Sequence, residues 1–160
     1  MRRLGKLIGI LLLLTACEGT TWRSSVPRAA VNISVNTQTG AFVHFKPENS
    51  GSYLVVTEEG YFLNGKRVQG ANERDRWGYG GVIVYVNAWN NYDAYDLACP
   101  DCCTRGLRER CVCTGGTAVC PHCGEEYNLY DGTAFPQNGS KEALLRLTVV
   151  RSGDILNIRP

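Results

Sequence analysis

The chain has 160 residues, a formal net charge of +2 and 44% hydrophobic residues. That length suits one domain with its own core. The small net charge argues against nucleic acid as a partner, and the chain holds neither the GK[ST] of a phosphate loop nor a dinucleotide fingerprint.

The N-terminus reads MRRLGKLIGILLLLTA. Arg2, Arg3 and Lys6 form a basic start, and Leu7 to Leu14 form an apolar run far shorter than the roughly 18 residues a spanning helix needs. The LTAC that follows resembles the lipobox of bacterial lipoproteins. By that resemblance residues 1–16 are a signal peptide and Cys17 is the first mature residue, its sulfur carrying a diacylglycerol. The implied location is the bacterial cell envelope, with the membrane held through a lipid anchor. Removing Arg2, Arg3 and Lys6 leaves 14 basic against 15 acidic residues, a mature charge of about −1. Residues 17–29 are polar and read as a lipidated tether ahead of a domain at 30–160.

From residue 30 the pattern is strand after strand. VNISVN alternates Val31, Ile33 and Val35 with polar residues, which is period two. AFVHF follows a TQTG turn and reads as another strand, with His44 in it as an ordinary packed or exposed histidine. SYLVV and YFL flank TEEG as a hairpin. NERDRWGYGG reads as a connection, and GGVIVYV is a continuous apolar, β-branched run of the kind a buried central strand shows. LLRLTVV and ILNI flank RSGD as a second hairpin. Helix signals are thin, with short turns near Gln69–Arg76 or Lys141–Leu145 the candidates. The expected class is all-β, with small antiparallel sheets arranged as a sandwich or barrel.

Seven cysteines lie between residues 99 and 123. An even disulfide framework would spread its thiols over the fold, whereas this set is odd in number and concentrated. It contains two matching units, CPDC at 99–102 and CPHC at 120–123. A Cys-x-x-Cys turn aims two sulfurs at one ion, and two such knuckles supply four thiolates in tetrahedral array. Cys99, Cys102, Cys120 and Cys123 are therefore the candidate metal ligands, in a zinc-ribbon- or rubredoxin-like subdomain at about 96–135. Disulfides alone are the competing reading. Cys103, Cys111 and Cys113 are left over, and one of the latter two is expected to bridge to Cys103. His122 and Asp101 lie between the knuckle thiols, as alternative ligands or neighbours of the ligands.

Residues 80–158 resemble the Rieske iron–sulfur domain. ACPDC matches its first ligand loop, CPHCGEEYNLYDG its second, and the final hairpin matches its last two strands. Cys99 and Cys120 occupy the places of the two loop cysteines, and Gly124, Tyr127 and Gly132 fit the turn after them. The family's histidine two places after the first cysteine is Asp101 here, and its histidine three after the second is Cys123; His122 is one place early. The resemblance implies a Rieske-like fold, a [2Fe-2S] cluster and an electron-transfer role with a protein redox partner. An all-cysteine cluster would have a lower potential than one with two histidines. The alternatives are a structural zinc or a single iron in the same four-cysteine site, on a lipoprotein that binds or braces and does no catalysis. The sequence shows no Ser-His-Asp set and no placeable carboxylate pair, so no enzyme is expected.

Overall fold

The computed structural model describes residues 23–70 and 74–160. The expected signal segment at 1–16 and the lipidation residue Cys17 lie outside the described residues. The chain is all-β apart from short turns of helix. One sheet has nine strands in the order β4-β3-β2-β6-β7-β12-β13-β1-β5, and a second has four in the order β11-β10-β9-β8. In the large sheet these are β1 (Val31–Asn36), β2 (Tyr53–Thr57), β3 (Gly60–Leu63), β4 (Lys66–Val68), β5 (Arg76–Trp77), β6 (Val82–Val86), β7 (Tyr92–Asp96), β12 (Arg146–Ser152) and β13 (Ile155–Arg159). The small sheet holds β8 (Val112–Thr114), β9 (Thr117–Val119), β10 (Glu126–Asn128) and β11 (Phe135–Pro136).

The large sheet curls until strands from its two ends share one core. Val31, Ile33 and Val35 of β1 pack in the same cluster as Leu54 and Val56 of β2 and Tyr61 of β3. The alternation of β1 does what period two requires, with every second side chain buried and the others exposed. β6 is buried at all five positions because both of its faces are covered. Val82, Val84 and Val86 point into the core of the curl, while Ile83 and Tyr85 point out into a second core. That explains why its sequence is unbroken by polar residues.

The segment between β7 and β12 leaves the large sheet and returns to it. β7 and β12 are direct neighbours, with Leu147 opposite Ala94 and Arg146 opposite Tyr95. Everything from residue 97 to 145 is thus an excursion, and it carries the small sheet and all seven described cysteines. Its packing forms the second core, which joins Tyr95 and Leu97 to Ala118, Tyr127, Leu129 and the buried thiols.

AFVHF is not a strand but a turn of 3-10 helix over Gly40–His44. Gly40 enters at a φ of 57°, which turns the chain out of the extended direction. The turn places Phe42 and Phe45, three residues apart, on one buried side, as its period of three dictates. His44 is exposed there. The only α-helix among the described residues is α1 (Pro100–Thr104), which lies in the first cysteine loop; Lys141–Leu145 is irregular. The expected tether is docked over its last part. Val26 is buried, and Ser25 donates from both its backbone N–H and its hydroxyl to the Glu142 carboxylate.

Candidate metal centre

The first loop starts where β7 ends. Cys99 has an extended backbone, and Pro100 opens α1 at a position where its missing N–H costs nothing. One helical turn then carries Cys102 round to the side of Cys99, with the Cys103 N–H bonded to the Cys99 carbonyl at 3.0 Å. The second loop connects β9 to β10. The Cys120 N–H bonds to the Glu125 carbonyl at 2.8 Å, and the Gly124 N–H to the Cys120 carbonyl at 2.9 Å. Gly124 has a φ of 75°, and a Cβ there would meet nothing within 4 Å. Its role is conformational, because only the left-handed backbone turns the chain back after Cys123.

The two loops bring Cys99, Cys102, Cys120 and Cys123 together, with all four sulfurs within 4.8 Å of one another. Cys99 and Cys123 are 3.6 Å apart, as are Cys102 and Cys120, so each close pair spans both loops. With metal–sulfur bonds of about 2.3 Å, a regular tetrahedron has edges of about 3.8 Å. The donor set and its spacing fit one tetrahedral ion. Three of the four side chains are fully buried, and Cys123 alone reaches toward the surface.

Without a cation, Cys99 is shifted in the direction opposite to Cys102 and Cys123. A hydrogen bond from the Cys111 thiol is the largest influence on Cys99; burial opposes it, and the Tyr127 hydroxyl, the Cys102 backbone and Cys120 add to it, holding Cys99 down to about 4. The Tyr127 oxygen is 3.5 Å from that sulfur. Burial pushes Cys102 up, and it pushes Cys123 up to about 11. A bound divalent ion reverses this, because a coordinated thiol is deprotonated outright. The Arg105 guanidinium, 3.7 Å from the Cys102 sulfur, adds positive charge at the edge.

The other sequence candidates lie outside the cage. His122 is exposed, with its Nδ1 3.9 Å from a Glu109 carboxylate oxygen. Asp101 is on the outer side of α1, paired with Arg105 at 3.0 Å. Neither His44 nor His122 contributes a ring nitrogen to the four-sulfur group, so the histidine half of a Rieske centre has no donors in it. The disulfide expected among Cys103, Cys111 and Cys113 is not formed, and all seven described cysteines are free thiols. On α1, adjacent residues diverge by roughly 100°, so Cys102 enters the core while Cys103 turns to the edge. Cys111 is buried against Cys99, and Cys113 lies 3.7 Å from the Gly115 carbonyl. The place of Cys111 as a fifth sulfur beside the cage was the feature that sequence reasoning missed. Its one signal was the separation of two residues from Cys113, which puts both on one side of an extended segment.

Taken together, the chain is an all-β protein with a candidate four-thiolate metal centre built from two knuckles. No protein-family model matches it, and no curated protein does. Among solved structures, a chain of the complex of reduced oxygenase and oxidized ferredoxin in carbazole 1,9a-dioxygenase aligns with 13% identity and a TM-score of 0.42, over 81% of this chain and 92% of that one.

Proposed function

We propose that this protein is a lipid-anchored lipoprotein of the bacterial cell envelope whose C-terminal half is folded around a single four-thiolate metal ion, a structural zinc. The observation that carries this reading is the mutual approach of all four sulfurs to within 4.8 Å, inside a core. A two-iron cluster takes two thiolates on each iron, and the bridging sulfides hold those pairs apart by the added iron–iron separation. The cage offers one compact tetrahedron and no such second spacing, which supports one ion over [2Fe-2S]. The Rieske-like loop arrangement is then a scaffold on which a mononuclear site has replaced the cluster.

A bracing role follows from what the sulfurs hold together. They tie α1 to the β9–β10 turn across a subdomain whose strands are two or three residues long. Strands that short do not persist without tertiary support, and a structural zinc contributes its binding free energy to folding. The reading is non-catalytic, and the anchor rests on the lipobox at Cys17. A second reading, a one-iron electron carrier with a protein redox partner, draws on Cys123, the one ligand that is not fully buried, next to exposed Pro121 and His122.

The test is to purify the full chain from membranes in mild detergent and determine its metals. The proposal expects a colourless protein with one zinc per chain. One iron, with colour that bleaches on dithionite, transfers the site to the electron-carrier reading; two irons with sulfide overturn the single-ion cage. Cys17→Ser moves the protein out of the membrane fraction, and continued membrane association contradicts the anchor.

A further inference from the structure

A groove lies at the start of β7, at the opposite end of that strand from the cysteine loops. It encloses about 550 Å³ and is lined by Trp89, Asn90, Asn91, Asp131, Arg146 and Arg151, among others. Ligand sites typically run from about 300 to 1,000 Å³. Trp89 stands at its rim with 73% of its surface exposed, the most exposed large hydrophobic side chain described.

The turn that carries Trp89 is held from below. The Asn87 side-chain oxygen accepts the N–H groups of Trp89 at 2.8 Å and Asn91 at 3.1 Å. The Ala88 N–H donates to the Tyr130 carbonyl at 2.8 Å, and Asn87 donates to the buried Asp93 carboxylate at 2.5 Å. These bonds fix the backbone under the indole and leave its ring in water. A turn tip ordinarily carries small polar residues. An exposed indole on a turn held in this way, at the rim of a groove, offers a flat apolar face on which a ligand ring can stack.

The chemistry of the groove selects the occupant. Its floor is an internally compensated ion pair, in which the Arg146 guanidinium donates to Asp93 and also to the Gly132 carbonyl at 2.9 Å. The lining also holds one further acid, Asp131, and one further base, Arg151, so its formal charges cancel and the groove suits a neutral ligand rather than a polyanion. Amide, carboxylate and guanidinium groups around a flat apolar ring match a molecule with an apolar face and a hydroxylated edge. We propose that this groove is a saccharide-binding site, taking a neutral pyranose oligosaccharide with the C–H face of one ring stacked on Trp89 and its hydroxyls bonded to the asparagine and charged side chains. The site uses neither the metal nor the anchor as a ligand contact, but Tyr130, Asp131 and Gly132 beside it belong to the excursion that carries the cysteine loops. Binding is therefore measured on protein of known metal content, and loss of binding only in metal-free protein is a failure of the bracing and not of the site.

The test is a titration of the full-length protein with chitotetraose and, separately, with cellotetraose, read by tryptophan emission and by calorimetry. Both probes present stacked pyranose faces, and only the first adds acetamido groups that can pair with Asn90 and Asn91. The expected result is a saturable emission change with at least one of them. Trp89→Ala should weaken binding by about tenfold or more, the scale of a lost aromatic stacking contact. Arg151→Ala should weaken it by about threefold, the scale of one hydrogen bond. Because the indole is exposed, Trp89→Ala should keep the melting temperature and metal content of the parent, which separates lost binding from lost folding. No saturable change with either probe up to about 10 mM, weaker than any affinity worth calling a site, overturns the proposal. So does binding that Trp89→Ala leaves intact.

Discussion

The two cores of this protein are held by different physics. Inside the curl of the large sheet, Val, Ile, Leu, Ala and Tyr side chains from seven strands and the two Phe side chains of the 3-10 turn bury one another, and the cluster contains no cysteine. On the other side of β6 and β7, the second core contains Cys99, Cys102, Cys111 and Cys120 among its fully buried members. The first core is built on the longer strands and their continuous ladders; the second adds to the outer faces of β6 and β7 only strands of two or three residues. Hydrocarbon burial suffices where strands are long enough to present several apolar side chains to one face. Where the chain is mostly loop, the ion proposed for the four-cysteine cage would do the joining. β6 and β7 belong to both, so each supplies one face to the aliphatic core and one to the core that holds the four-cysteine cage.

Breaking the metal core has the largest expected effect. Cys120→Ser should abolish metal binding and cost on the order of 10 kcal/mol of apparent folding free energy in the subdomain. Amide hydrogen exchange should show protection lost over residues 98–135 and kept at Ile33, Leu54 and Ile158; uniform loss across the chain would mean that the two cores are one cooperative unit. His122→Ala, by contrast, should leave metal content unchanged, since that imidazole points to Glu109 and away from the sulfurs.

Leu54→Ala tests the other side of the comparison. Leu54 is fully buried in the aliphatic core, and truncation should cost about 2–5 kcal/mol. Denaturant unfolding should show that loss while metal analysis shows none. Metal loss in that variant would couple the cores more tightly than the shared strands imply.

The smallest effect concerns the strap between the two regions. Arg110, next to Cys111, donates to the Glu58 carboxylate in the β2–β3 turn at 2.6 Å. That hydrogen bond, the largest influence on Glu58, holds its carboxyl below the usual range. A depressed carboxylate pKa adds stability above the unfolded value of about 4.3, and the addition disappears as pH falls through the lower folded value. Glu58 is exposed and Arg110 partly so, and the contribution at neutral pH should be under about 1 kcal/mol and should shrink with salt. Glu58→Gln should therefore flatten the acid limb of the stability curve slightly, with an effect that is largest at neutral pH and shrinks as pH falls through the folded value.

The legible parts of the fold were those with a period. Val31, Ile33 and Val35 announced β1 by alternation, and the apolar run of β6 announced a strand covered on both faces. The TEEG and RSGD turns marked the β2–β3 and β12–β13 hairpins. AFVHF misled because Phe42 and Phe45 are three apart, a spacing that a short run of apolar residues does not distinguish from a strand. α1 is one turn long and β8 to β11 have two or three residues each, too short for periodicity to register. In the site, spacing alone grouped Cys99 with Cys102 and Cys120 with Cys123. The meeting of the two pairs depends on β7 and β12 being neighbours, which no local pattern states. Cys111 comes beside Cys99 by a different pairing, inside the excursion itself: the Cys111 N–H bonds to the Leu97 carbonyl and the Cys99 N–H to the Glu109 carbonyl, both at 2.8 Å.

The most direct measurement is X-ray absorption at the metal edge of the purified full-length protein. The account predicts one metal per chain with four sulfur neighbours at about 2.3 Å and no metal–metal scattering. A second metal shell, a nitrogen ligand in place of a sulfur, or a metal-free protein whose cysteines are paired as disulfides would contradict it.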